Sequence, residues 1–424
     1  MRIETIDHTK LDEARKVLER ILEHRKVSPT LKSDELYYEY LVQYIRNIQT
    51  ARDNGKYIVA HTAAVPQEIF WAMDTVPMHL ELIPMLQAQL LNGYEDMFSA
   101  ARGMGLSTDI CTAQRIMPAA ISLGWVPRPD AVAWSNHVCD NSAKMGDIPV
   151  ELYGCPSFFL DRPYHAEERH VRYFSRQLMD LVGFLEGLTG QEMNWDKLLE
   201  VMEYSRQVVE LYREVSELRK AVPAPMRSRC YIPMSGMEFQ SGTQEAVAYF
   251  ESLRNEIKGN VDAGKGCIPQ ERYRYMTLLV PPYFLLRLLD WMEKKHAAVS
   301  VCEPQNNPHW GQWVIDPAKP LESLANKSFR YSFYNSVQGP AEDSVLRYAV
   351  RDAIEYKAEG AIFWAHIGCR HSNAYMKMMR DILMEKVGIP TLVIDMDYLD
   401  PTYVGEDEIK GQIEGFFELL EDRR

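Results

Sequence analysis

Seven cysteines are scattered through this 424-residue chain, and six of them sit at turns that could serve ligation. Cys111 opens Cys-Thr-Ala-Gln-Arg after Asp109-Ile110, Cys139 lies in Ser-Asn-His-Val-Cys-Asp-Asn, and Cys369 lies in His-Ile-Gly-Cys-Arg-His. Each follows a short apolar or strand-like run and precedes a segment of helical pattern. A thiolate at a helix start is favoured by the helix dipole, and such a position suits a soft metal centre. Cys230, Cys267 and Cys302 lie in loop-like surroundings of the second half. Cys155, just before Pro156, reads as a small buried hydrophobe. His137 and His366 stand beside Cys139 and Cys369, with Arg370 and His371 close behind. They are candidates for proton delivery, for anchoring an anion, or for hydrogen-bonding the sulfurs. Packing or surface roles would account for each of them equally well. Structural zinc wants ligands paired two to four residues apart, which this spacing does not offer. A metal site is plausible from the residues, and its identity stays open at this point.

Other chemistry is absent or broken. Gly259-Asn-Val-Asp-Ala-Gly-Lys-Gly266 imitates a P-loop, but Gly266 stands where a magnesium-binding hydroxyl belongs, and a helix rather than a strand precedes it. A helix ending in glycines is the better reading, and ATP hydrolysis by this chain is not expected. No Gly-x-Gly-x-x-Gly follows a candidate strand. The net charge of −13 disfavours nucleic acid and anionic membranes as partners. The most apolar stretch, 276–291, is broken by Pro281, Pro282, Arg287 and Asp290, so no membrane span is expected. An odd number of dispersed cysteines and the lack of a secretory leader fit a reducing cytoplasm.

The elements that must position these residues alternate. Residues 1–55 read as an N-terminal helical segment, with Leu11, Ala14, Val17, Leu18 and Ile21 at helical spacing. Residues 56–222 read as a first α/β domain, with strands near 57–61, 131–135 and 157–161 and two long helices, 165–188 and 195–220. Helices are also expected from Pro66 and near 87–101, 112–123 and 140–145. Ala221-Val-Pro-Ala-Pro-Met is the natural break. Residues 223–424 read as a second α/β domain, with strands near 275–280, 297–301, 361–365 and 391–395. Helices are expected at 243–260, 283–294, 342–358, 372–386 and 407–420. The alternation predicts two Rossmann- or flavodoxin-like parallel-sheet domains facing each other across a cleft, because ligands bind at the carboxyl ends of such strands.

Several ordered landmarks then point to a family. They are Val-Pro-Gln-Glu-Ile (65–69), Asp109-Ile-Cys111, Pro129-Asp-Ala-Val132 leading to Asn136-His-Val-Cys139, and 156–161 with Pro163. Lys265-Gly266 before Glu271-Arg-Tyr-Arg, Cys369, and Ile389 through Asp397 to Asp400-Pro401 complete the set. In this order the chain resembles the 2-hydroxyacyl-CoA dehydratase and benzoyl-CoA reductase family over nearly its whole length. The resemblance implies that Cys111, Cys139 and Cys369 hold a [4Fe-4S] cluster with one open iron site. It also implies a separate ATP-hydrolysing iron-sulfur activator as electron donor. Ordinary dehydratase subunits lack counterparts of Cys230, Cys267 and Cys302. The double-cubane branch uses six cysteines for two sulfide-bridged [4Fe-4S] units, an [8Fe-9S] cluster. The expectation is therefore a homodimeric reductase of that branch, acting on a small or activated substrate. The alternatives are a single-cluster subunit of a 2-hydroxyacyl-CoA dehydratase or benzoyl-CoA reductase, and a non-catalytic electron-transfer or zinc protein.

Overall fold

The computed structural model describes residues 3, 6, 8–27, 31–137, 139–238, 240–308, 311–331, 340–342 and 344–424. Val138 of the Asn136–Cys139 landmark and Asp343, near the expected start of the 342–358 helix, lie outside them. The chain opens with helices α1 (His8–Val27) and α2 (Lys32–Thr50). Of the predicted stripe Leu11, Ala14 and Leu18 are buried, Val17 and Ile21 are half-buried, Leu22 joins the buried face, and α1 packs on α2.

Two four-stranded sheets follow. The first contains β1 (Ile58–His61), β2 (Val76–His79), β3 (Ala131–Ser135) and β4 (Ser157–Leu160). The second contains β5 (Tyr273–Leu278), β6 (Ala298–Cys302), β7 (Gly360–His366) and β8 (Thr391–Met396). Their strand orders are β2-β1-β3-β4 and β6-β5-β7-β8, so each sheet repeats the same second-first-third-fourth arrangement. All pairings are parallel, with Val59 opposite Ala131 in one sheet and Tyr275 opposite Gly360 in the other. Strands β1, β2, β3, β5, β6 and β7 are buried throughout, as expected where helices cover both faces of a parallel sheet. The two-sheet α/β architecture matches the expectation.

Details differ for local reasons. Strand β2 escapes a sequence reading because Pro77 sits inside it; the strand is at the sheet edge, where a missing N–H is tolerated. The helix expected over 87–101 is two, α4 (Leu82–Leu91) and α5 (Tyr94–Gly103), divided by left-handed Asn92 and Gly93. The helix ending in glycines is as read: α12 (Gln244–Asp262) stops at Ala263, and Gly264 takes φ +62°. Its start is capped by Thr243, whose hydroxyl accepts from Ala246 N at 3.2 Å.

The chain crosses between its halves more than once. Helix α14 (Pro320–Arg330), late in the chain, packs on α9 (Glu168–Thr189), with the Phe174 and Phe329 rings 5.8 Å apart. Helix α2 packs on α12, where Ser33 Oγ donates to Glu256 at 2.6 Å. A buried ion pair closes the seam after α10 (Trp195–Leu218). Arg219 donates to both carboxylate oxygens of Glu303 at 2.7 and 3.0 Å, with both side chains at most 2% exposed.

Candidate functional site: three thiols on one cavity

Three loops bring the site together. Cys111 caps α6 (Thr112–Ser122), Cys139 caps α7 (Asp140–Met145) and Cys369 caps α16 (Arg370–Lys386). Cys139 follows β3 and Cys369 follows β7, the corresponding third strands of the two sheets. These are the carboxyl ends where the strand order reverses, the usual ligand position in open parallel sheets. Cys111 departs from expectation, since α5 and a turn precede it rather than a strand.

The loops are held by direct backbone approach. A Cβ on Gly368 would stand 2.5 Å from Cys111 N and 2.6 Å from Cys111 Cα, so only glycine lets the β7–α16 turn lie against Cys111. Asn141 Nδ2 donates to Gly368 O at 3.4 Å, tying the Cys139 loop to the same turn. Thr112 Oγ1 donates to Asp397 at the end of β8, and Asp397 also accepts from Leu399 N and Asp400 N at 2.9 and 2.8 Å. Two of the sulfurs have a local partner: Cys139 Sγ accepts from Ser142 N at 3.3 Å, and Cys369 Sγ donates to Ser372 Oγ at 3.3 Å.

The helix starts do not by themselves produce thiolates. Burial pushes the Cys111 thiol well above its ordinary value, and the neighbouring Cys369 and Cys139 push it further. Cys139 is pushed up to about 12 by burial, partly offset by the Ser142 N–H. Desolvation outweighs the dipole here. Thiols of this kind become thiolates where a cationic centre supplies the counter-charge that burial removes. Among the described residues, no three His, Cys, Asp or Glu side chains gather closely enough to hold a single ion.

All three thiols line one cavity of 340 Å³. Its walls are mainly apolar and aromatic, with Tyr37, Tyr40 and Leu41 from α2, Leu82 and Met85 from α4, and Tyr231, Tyr283 and Tyr398 opposite. Of the expected catalytic residues, His366, Arg370 and His371 line it as well. His366 is buried, its Nε2–H donates to Val280 O at 2.7 Å, and burial lowers its pKa to about 4. Arg370 is exposed at the rim. His137 lies elsewhere, on a separate 50 Å³ pocket beside Glu68 and Lys327, which pair at 2.5 Å.

Cys230, Cys267 and Cys302 do not join the trio on this cavity. Cys230 and Cys267 lie near each other beside Glu293, and burial pushes both thiols up to about 12. Cys302 is fully buried at the end of β6, near Asp352, Glu303 and Arg219.

Two cavity residues have no clear sequence signal. His79 ends β2, and its Nδ1 accepts from Glu81 N at 3.2 Å and Leu82 N at 3.3 Å, which anchors the start of α4. Burial lowers its pKa to about 4, so it is neutral. Burial raises the Glu81 carboxyl, whose Oε1 accepts from Ala63 N at 3.3 Å.

Comparison with known proteins identifies the family. The family described as 2-hydroxyglutaryl-CoA dehydratase, D-component, matches residues 62–420. The chain is 23% identical to the (R)-phenyllactyl-CoA dehydratase alpha subunit of Clostridium sporogenes, over 87% of this chain and 91% of that one. It is 23% identical to the (R)-2-hydroxyisocaproyl-CoA dehydratase alpha subunit of Clostridioides difficile, over 91% and 95%. It is 24% identical to a benzoyl-CoA reductase subunit from Thauera aromatica, over 77% and 80%. With most of its length matched and its three cap cysteines converging on one cavity, the chain belongs to the 2-hydroxyglutaryl-CoA dehydratase D-component family.

Proposed function

We propose that this protein is the cluster-bearing subunit of a low-potential iron-sulfur enzyme that dehydrates or reduces a small acyl thioester. One observation carries the reading: thiols from corresponding loops of both sheets, with Cys111 between them, face a single largely apolar cavity. The donor set suits a [4Fe-4S] cluster on Cys111, Cys139 and Cys369. The three thiols share one cavity without closing on a single point, which suits a polynuclear group better than a lone zinc. Hydrogen-bond partners such as Ser142 N and Ser372 Oγ are the kind that tune a cluster. When bound, such a cluster supplies single electrons at low potential and, at an open iron site, Lewis acidity toward a carbonyl.

The protein's own groups would do the rest. The tyrosine and leucine walls exclude water. Neutral His79 fixes the turn that carries Glu81, and the Glu81 carboxyl, raised by burial, can hold or release a proton inside the cavity. Arg370 and His371 at the rim are placed to meet a negatively charged cofactor portion of the substrate. An external ATP-dependent activator as electron source is consistent with the broken P-loop. The relatives are named as subunits, which supports assembly with further polypeptides, either a second copy or a distinct chain.

The six-cysteine [8Fe-9S] reading has the cysteine count in its favour. In favour of the single cluster, Cys230, Cys267 and Cys302 are not among the residues that line the trio's cavity. Anaerobic purification with iron and sulfide measured per chain separates them. About four irons are expected, lost in Cys139→Ser and retained in Cys267→Ser. About eight irons, halved by Cys267→Ser, would overturn the single-cluster assignment and restore the double-cubane one.

A further inference from the structure

We propose that the Tyr398 hydroxyl, backed by Tyr283, donates a hydrogen bond to a sulfur of the iron-sulfur centre and so sets how readily that centre takes an electron. This rests on the cluster reading above and assigns it a positioning residue. Tyr398 is fixed against two of the three cysteine turns. It follows Asp397, which accepts from Thr112 Oγ1, the side chain next to Cys111. Leu399 N and Asp400 N close the turn on the same carboxylate at 2.9 and 2.8 Å. On its other side the Tyr398 ring packs on His366, with centroids 4.9 Å apart, and His366 O accepts from Cys369 N at 2.9 Å. The Tyr398 hydroxyl and the Cys111 thiol lie close enough to feel each other's charge.

Tyr283 holds the phenol from behind. Its N–H donates to Tyr398 O at 3.0 Å, the two rings are 4.8 Å apart, and Gln89 Nε2 of α4 donates to Tyr283 O at 3.3 Å. The two hydroxyls also interact with each other. A pair of hydroxyls bonded to one another commits one hydrogen and leaves the second to donate. Both side chains line the cavity together with Cys111, Cys139 and Cys369. A phenol clamped in this way is a rigid donor in a largely apolar site, where a hydrogen bond to a charged acceptor is strengthened. Reduction makes the sulfurs of such a centre more negative, so a donor beside them stabilises the reduced state.

The test is a redox titration of the anaerobically purified, iron-loaded protein, followed by visible absorption with no thioester present. Tyr398→Phe keeps both ring contacts and removes only the hydroxyl. It should retain native iron per chain and make reduction about tenfold less favourable, which lowers a one-electron potential by about 59 mV. Tyr283→Phe leaves the Tyr398 hydrogen available, so its shift should stay below about threefold. A Tyr398→Phe shift below about threefold overturns the proposal. An equal shift in Tyr283→Phe does so too, because the effect would then belong to the wall in general. Loss of iron from a folded Tyr398→Phe variant also overturns it, since the hydroxyl would then build the site instead of tuning it. A native protein with no iron-sulfur absorption to titrate removes the cluster reading itself, and the role of the hydroxyl falls with it.

Discussion

Replacing Gly368 with alanine tests the site through its tightest contact. The added Cβ would stand 2.5 Å from Cys111 N, 2.6 Å from Cys111 Cα and 2.7 Å from Ile110 C. All three are backbone atoms, which cannot rotate aside. Ordinary contact begins near 3.4 Å, so the Cys369 turn and the Cys111 turn must part by about 0.9 Å. Overpacking of this kind costs about 1–3 kcal/mol, too little to unfold a protein of this size. Ligand positions in a metal site, in contrast, tolerate only about 0.2 Å. The variant should therefore fold, with native circular dichroism, yet lose at least about half of its iron and the matching visible absorption. Gly411→Ala is the control, because a Cβ there meets nothing within 4 Å. Native iron content and spectrum in Gly368→Ala would refute the claim that Cys111 and Cys369 are joint ligands held by this contact.

Two further outcomes follow from buried charge. Arg219→Met strands the Glu303 carboxylate at 1% exposure and should destabilise the protein by about 3–5 kcal/mol in denaturant unfolding, whereas Arg219→Met with Glu303→Leu should recover much of that loss. His79 has its folded pKa depressed to about 4 by burial, below its ordinary 6.5, so its contribution is present above pH 6.5 and lost as pH falls toward 4. Protonation would also remove the Nδ1 acceptor that holds Glu81 N and Leu82 N. His79→Asn keeps an acceptor and removes the titration, so its stability should fall about 2 kcal/mol less across that window, as read by urea midpoints at pH 7 and pH 4.5. An unchanged pH profile would show that His79 is not buried as neutral imidazole.

The parts of this fold that were legible in the sequence are those written in local pattern. Apolar runs such as Ile58–His61 and Gly360–His366 announce buried parallel strands, and the cysteines that follow Ser135 and His366 mark the strand ends. What hid was either locally contradictory or purely tertiary. Pro77 disguises β2, and with it His79 and Glu81, as a loop. The dipole argument for thiolates ignores burial, which only the packed structure supplies. That Cys111, Cys139 and Cys369 line one cavity while Cys230, Cys267 and Cys302 are not among its lining residues depends on where the loops between strands turn, and spacing carries no record of that. Likewise, nothing in Tyr37, Tyr40 and Leu41 distinguishes a cavity wall from an ordinary amphipathic stripe.

The repeated strand order has a mechanical consequence. Because Cys139 hangs from one sheet and Cys369 from the other, the centre proposed above would work as a clasp across the molecule. Swinging the halves apart to admit a ligand would pull the sulfurs off their common load.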